Sequence, residues 1–253
     1  MTVRVIDERH RAWLRIVLDG PKGNLLSLEM VRAVAAALDS SSAQRKWVTF
    51  EGAGGNFSFG AMIQEHVPGP MEQVLPETHA LIRRILALPA ATAALVNGRC
   101  LGGGFELALA CDTIIAAGDA VMGLPEIDLG AFPPAAAALL PLRVGASRAA
   151  ASMLTGEPRP ASAWRDAGLV AAIATTEGVV EAAGRWFDAH LAPRSFVAIS
   201  AAAQASRLVL RAIAEPSIAA AERLYLERVL PSHDASEGVR AFLEKRKPQW
   251  KDR

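Results

Sequence analysis

The stretch ATAALVNGRCLGGGFELALACDTIIAA, residues 91–117, decides the fold. It opens on a short apolar run, 91–96, with the length and composition of a strand buried on both faces. NGRCLGGG then turns the chain, FELALA continues as a helix, and DTIIAA, 112–117, is a second strand. A strand, a turn, a helix and a strand in so few residues predict parallel β-structure with covering helices.

The same grammar extends toward the N-terminus. Residues 3–7 and 12–18 read as strands, and WLRIVLD alternates apolar and polar positions as a half-buried strand does. Ser27 is placed to cap a helix whose apolar face is Leu28, Val31, Val34, Ala35 and Leu38. WVTFE, 47–51, is another strand, followed by the glycine-rich GAGGNFSFGAM. A helix is expected from Met71 to Leu88, closed by Pro89. Beyond about residue 145 helical patterns take over: Ser147–Leu154, Pro160–Ala167, Glu177–Leu191, Phe196–Ala214 and Pro216–Leu230, with VAAI (170–173) as a short strand. The fold class is α/β with a helical C-terminal third, divided as a core over 1–195 and a helical region over 196–253.

Composition narrows the function classes. Apolar residues form 51% of the 253, enough to offset the entropy of ordering the chain. Lys plus Arg total 27 against 26 acids, so no net field draws the protein to nucleic acid or an anionic membrane. Cys100 and Cys111 form no CxxC, and the five histidines form no HExxH, so neither a disulfide scaffold nor a metal site is expected. The first twenty residues interrupt their apolar stretches with charges, unlike a signal peptide, and no run of 18 apolar residues exists. The expected location is cytoplasmic.

GxGxxG and GxxxxGK[ST] are absent. NFSFG approaches the GxSxG elbow, but Asn56 stands where that tight turn needs glycine, so Ser58 is discounted as a nucleophile. Gly102-Gly103-Gly104 is the strongest local feature. It strips Cβ atoms from a strand-to-helix turn, where free N–H groups favour negative charge; packed tightly on the sheet, the same turn has no ligand role. Glu106 follows among apolar neighbours; alone, a first-turn acid complements the helix dipole by about 0.3–1 kcal/mol. A carboxylate in such surroundings needs a partner or a raised pKa. Glu126 lies twenty residues on, in GLPEIDLG, on a loop restrained by Pro125, whereas Asp128 reads as a solvent or salt-bridge residue.

Taken together, PKGNLLSLEM, FSFGAMIQEH, VNGRCLGGGFELALACD, GLPEIDLGAFP and FLEKRKPQW resemble the enoyl-CoA hydratase/isomerase (crotonase) superfamily in order and spacing, over most of the chain. The resemblance implies a spiral of ββα units and an acyl-CoA thioester substrate. It implies an oxyanion hole from the N–H groups of Ala61 and Gly103, and a substrate site lined by Ala61, Met62, Ile63, Gln64 and Gly103. Glu106 and Glu126 match the two glutamates that hydratases place around one water, with Glu126 as the main acid/base and Glu106 positioning the water. It further implies a homotrimer, or a hexamer of two trimers, built on the helical region 196–253, and no cofactor, since coenzyme A enters with the substrate. FSFGA followed by EHVP looks like the cyclohexa-1,5-diene-1-carbonyl-CoA hydratases. Met62 stands where many relatives carry an acid, and Pro133 and Pro134 stiffen the GAFPPAAA loop in a way that could reshape the acyl pocket for a ring. The alternatives are an isomerase or acyl-CoA hydrolase on the same scaffold, and a non-catalytic CoA-binding protein.

Overall fold

The computed structural model describes residues 2–39, 44–174 and 178–253. The chain begins with β1 (Thr2–Glu8), β2 (Trp13–Asp19), α1 (Pro21–Asn24), α2 (Leu28–Asp39), β3 (Trp47–Gly52) and α3 (Met71–Ala87). β4 (Ala91–Val96), β5 (Arg99–Leu101), α4 (Gly103–Leu109), β6 (Thr113–Ala117) and β7 (Val121–Gly123) follow, then α5 (Pro134–Val144) and α6 (Ala146–Thr155). The remainder is β8 (Arg159–Pro160), α7 (Ala161–Asp166), β9 (Ala172–Ala174), α8 (Val179–His190), α9 (Phe196–Ser206), α10 (Leu208–Leu224) and α11 (His233–Glu244).

The strands form a large sheet, β1-β2-β3-β4-β6-β9, and a small one, β5-β7-β8. β1 and β2 are an antiparallel hairpin, and β2, β3, β4, β6 and β9 run parallel. The chain repeatedly leaves the large sheet, adds a strand or a bridge to the small one, and returns through a helix: β4-β5-α4 is one such turn, and the isolated bridges Leu26↔Ala61 and Ser58↔Cys100 mark earlier ones. This is the expected spiral of ββα units.

Strand alternation sorts the core. Along β4, Ala94 and Val96 face the main cluster with Phe50, Phe57 and Phe105, while Ala93 and Leu95 face a second cluster with Trp13, Trp47 and Phe187. Both faces of the central strands are therefore dry, which is why ATAALV carries no polar alternation. Trp13 stacks on Phe187 of α8 with centroids 5.8 Å apart, and its indole N–H donates to buried Thr49 at 2.9 Å.

Most element expectations hold within a residue or two, including the Ser27 cap, whose Oγ accepts from the Met30 N–H at 3.2 Å. Two do not. GAFPPAAA is not a stiffened loop: Pro134 opens α5, where a missing N–H and a preset φ favour a first helical position. The long C-terminal helix breaks at Arg207 rather than before Pro216, which sits inside α10. Arg207 is buried, with its guanidinium donating to the carbonyls of Leu88 and Ala90 and pairing with Asp112; that anchorage fixes the joint. The expected start of α8 at Glu177 lies outside the described residues. Among the described residues no single helix is long and apolar enough to cross a membrane.

Candidate active site

The loop after β3 is held by buried polar side chains. Asn24 is buried and its amide donates to the carbonyls of Ala53 and Asn56, each at 2.9 Å, and to that of Phe57 at 3.2 Å. Asn56 Oδ1 accepts from the Arg99 N–H at 2.9 Å, tying the loop to β5. Ser58 Oγ donates to the Asn24 carbonyl at 2.8 Å and accepts from the Gly60 N–H at 3.1 Å. Its hydroxyl is consumed in shaping the turn, in agreement with its rejection as a nucleophile. Gly60, at φ +96°, then brings Ala61 beside the triple glycine: a Cβ on Gly60 would stand 2.8 Å from the Leu101 carbonyl and 3.3 Å from the Gly103 nitrogen.

The other side of this junction is the start of α4. Gly102 has φ 51° and ψ −128°, a conformation closed to residues with a Cβ, and such an atom would also stand 2.8 Å from Glu126 Oε1. Gly103 is the first residue of α4, so its N–H has no acceptor within the helix. A Cβ at Gly103 would lie 3.6 Å from the Ala61 nitrogen, which puts the two amides side by side. Among the described residues neither N–H donates to a protein acceptor.

Glu106 projects from α4 and is 5% exposed. Its Oε1 accepts from the Ala136 N–H at 2.8 Å, and the Ala135 N–H also serves the carboxylate, so the α5 N-terminus holds it. Burial raises its pKa to about 7 against those two hydrogen bonds. Glu126 sits in the 3₁₀ turn Pro125–Leu129, closed by Gly130 at φ 67°. Its Oε2 is cut off from solvent and has no hydrogen-bond partner. Burial first, and the Glu106 charge second, push its pKa well above the usual carboxylate range. Asp128, in the same turn, is exposed, as expected.

A cavity of about 80 Å³ joins these groups. Ala61, Ile63, Gly103, Glu106 and Glu126 line it together. Met62 and Gln64 do not, and Gln64 is exposed to solvent. Among the lining residues not singled out from the sequence are His66, Phe132 and Tyr225. His66 donates its Nδ1–H to the Met62 carbonyl at 3.1 Å, and burial holds it neutral. Phe132 packs on Tyr225 with ring centroids 5.7 Å apart. Tyr225, the single tyrosine of the sequence, arrives from the far end of the chain at the wide π-type turn Tyr225–Val229 that ends α10. Its aromatic character offered a weak signal, but nothing local to it indicated a site.

Residues 8–253 match the family model for enoyl-CoA hydratase/isomerase. The chain is 38% identical to the cyclohexa-1,5-dienecarbonyl-CoA hydratase of Thauera aromatica, covering 97% of this chain and 95% of that protein. It is 32% identical to the 2,3-dehydroadipyl-CoA hydratase of Escherichia coli K12, covering 98% and 99%. Among solved structures, an enoyl-CoA hydratase from Mycobacterium avium subsp. paratuberculosis superimposes with a TM-score of 0.87 at 28% identity, over 100% of this chain and 99% of that one. A spiral of ββα units, paired backbone amides beside two glutamates on one cavity, and a match over nearly the full length agree: the chain belongs to the enoyl-CoA hydratase/isomerase family, the crotonases.

Proposed function

We propose that this protein hydrates the double bond of an α,β-unsaturated acyl-CoA, with a cyclic dienoyl-CoA as the preferred substrate. The observation that carries the hydration is the pairing of Glu106 and Glu126 on one cavity, the first held by two N–H donors and the second with an unpartnered oxygen. Glu106 has two N–H donors and is the member that ionises, so it accepts a proton from water. Glu126 has an unpartnered oxygen and feels its neighbour's charge, so it keeps a proton to give to the substrate carbon. Glu106 is then the base that holds and deprotonates the water, and Glu126 the acid that serves the substrate carbon.

The thioester oxygen belongs against the amides of Ala61 and Gly103. Two preorganised donors there stabilise the enolate as charge reaches the oxygen, each by about 3–4 kcal/mol. The balance closes within the substrate and one water. Hydroxide is added to the β-carbon as Glu106 takes the proton, the enolate collects the electron pair, and Glu126 protonates carbon. No metal or redox cofactor enters the scheme, and coenzyme A is carried by the substrate.

The preference for a ring is supported by the Thauera aromatica relative and by the shape of the cavity, whose far wall of Phe132, Pro133, Pro134 and Tyr225 is bulky and stiff. Met62 and Gln64 lie just outside that cavity, on the segment where the CoA moiety would leave it. Exposed Val197, Leu208 and Val209 on α9 and α10 support assembly into trimers, or pairs of trimers, through the helical region 196–253. A cytoplasmic setting fits the two free, buried cysteines.

The test is turnover of crotonyl-CoA, a longer enoyl-CoA and cyclohexa-1,5-diene-1-carbonyl-CoA, with Glu106→Gln and Glu126→Gln beside the parent. Each variant is expected to lose hydration by about 100-fold or more while staying folded. Full activity in both, or thioester hydrolysis without hydration, overturns the assignment.

A further inference from the structure

A water that attacks carbon offers two protons and two lone pairs. In the proposed scheme Glu106 and Glu126 take up the proton side and the substrate carbon one lone pair, leaving one lone pair to be oriented. The donors able to do this are few. Pro125, Pro133 and Pro134 line the cavity without an N–H, and the Ala135 and Ala136 amides are spent on Glu106. The Thr78 hydroxyl donates to the Val74 carbonyl at 2.8 Å, and the His66 Nδ1–H goes to the Met62 carbonyl. Among the described side chains lining the cavity, the Tyr225 hydroxyl is the donor left without an acceptor.

The placement of Tyr225 is specific. The residue is 4% exposed, and its ring is fixed against Phe132. Burial, and after it the nearby carboxyl groups, keep the phenol protonated. The Tyr225 hydroxyl, which has no protein acceptor, and the two glutamates thus border one small cavity, where an added oxygen can take the hydrogen bond of the phenol. The backbone supplies a second sign. α10 ends in a π-type turn at Tyr225, and such wide turns are costly and occur preferentially at functional sites.

We propose that Tyr225 is a third catalytic residue, whose hydroxyl donates a hydrogen bond to the oxygen being added: to the water before attack, and to the new hydroxyl of the product afterwards. This rests on the hydration assignment above. Tyr225 transfers no proton. It fixes the lone pair that does not react, so that the other points at carbon.

Tyr225→Phe keeps the ring and removes the donor. It is expected to lower kcat for hydration about 10- to 100-fold with KM within threefold and Tm unchanged. A second measurement uses the parent sequence. Because Tyr225 is the only tyrosine, growth on 3-fluorotyrosine labels this one position. Its fluorine resonance is expected to shift on binding a 3-hydroxyacyl-CoA and to stay near its free value with the saturated acyl-CoA of the same length. A kcat for Tyr225→Phe within twofold of the parent, or equal fluorine shifts with both ligands, overturns the role. If Tyr225→Phe does not fold, the fluorine comparison decides alone. A parent enzyme that hydrates no enoyl-CoA removes the hydration reading itself; an active parent with an inactive Glu126→Gln and an unaffected Tyr225→Phe removes only this inference.

Discussion

The cavity has two unlike walls. One is written by the spiral: Ala61, Gly103 and Glu106 sit at a junction where β5, the loop after β3 and the start of α4 interlock through backbone hydrogen bonds. The Leu101 N–H donates to the Ser58 carbonyl at 2.9 Å and the Gly102 N–H to the Gly123 carbonyl at 2.9 Å, so the amides beside the cavity are fixed by the main chain. The other wall is assembled from side chains on helices far apart in sequence, Phe132 ahead of α5 and Tyr225 at the end of α10. Geometry fixed by main chain tolerates little change and suits a step common to many substrates; geometry fixed by side-chain packing can be rebuilt and suits the choice among them, the proposed role of the Tyr225 hydroxyl being the exception on that wall.

The sharpest way to break this contrast is Gly103→Pro. Proline is tolerated at the first position of a helix, and the Cβ at Gly103 would meet neighbours no closer than 3.6 Å, so the variant is expected to fold. It deletes the N–H and places a ring carbon where the proposed scheme puts the thioester oxygen. Hydration is expected to fall by more than ~1,000-fold on every substrate, cyclic and linear alike. Tyr225→Phe, on the other wall, should be milder. A Gly103→Pro enzyme that loses one substrate and keeps another would put selection on the main-chain wall and refute the division.

The same contrast explains what the sequence disclosed. Gly102-Gly103-Gly104 and Glu106 are contiguous, and their chemistry follows from absent Cβ atoms and one carboxylate in an apolar helix, which a linear text displays. Strand periods were legible for the same reason, since the two faces of β4 are sorted by neighbours two residues apart. Pro133-Pro134 misled because proline stiffens a loop or opens a helix equally well, and only the docking of the Ala135 and Ala136 amides on Glu106 selects the helix. Tyr225 and Arg207 were opaque: each acts through partners about a hundred residues away, with no periodic or motif trace.

Arg207 bears on the stability of the helical wall. It reaches from the joint between α9 and α10 to the chain ahead of β4 and pairs with Asp112, and both it and Ala90 are withdrawn from water. Arg207→Met is expected to cost about 3 kcal/mol, since it removes the charge paired with Asp112, which keeps only Thr92 as a donor, and the donors to the two carbonyls. In thermal unfolding this reads as a Tm lower by about 10 °C. Activity of the fraction still folded should be nearly unchanged, because the residue is absent from the cavity lining. A fall in kcat larger than tenfold at a temperature where the variant is folded would mean that Arg207, at the start of α10, also holds Tyr225 in place at its end.

The smallest expected effect comes from the glutamate pair itself. Both carboxyls hold protons more tightly in the folded protein than in the unfolded chain, Glu106 with a pKa of about 7 against an ordinary 4.5 and Glu126 higher than its ordinary value. The folded state therefore binds more protons than the unfolded one above pH 4.5, and stability falls as pH rises. The contribution is fully present below the unfolded pKa and is lost as pH passes through about 7 and beyond. Glu126→Gln removes one titrating member and relieves the repulsion on the other. Its Tm should match the parent near pH 5 and exceed it near pH 8 by about 5 °C. A parent whose Tm rises between those pH values, or a variant that gains nothing at pH 8, would mean that the two carboxyls do not share a dry pocket. The unequal division of acid and base between them would then lose its physical cause.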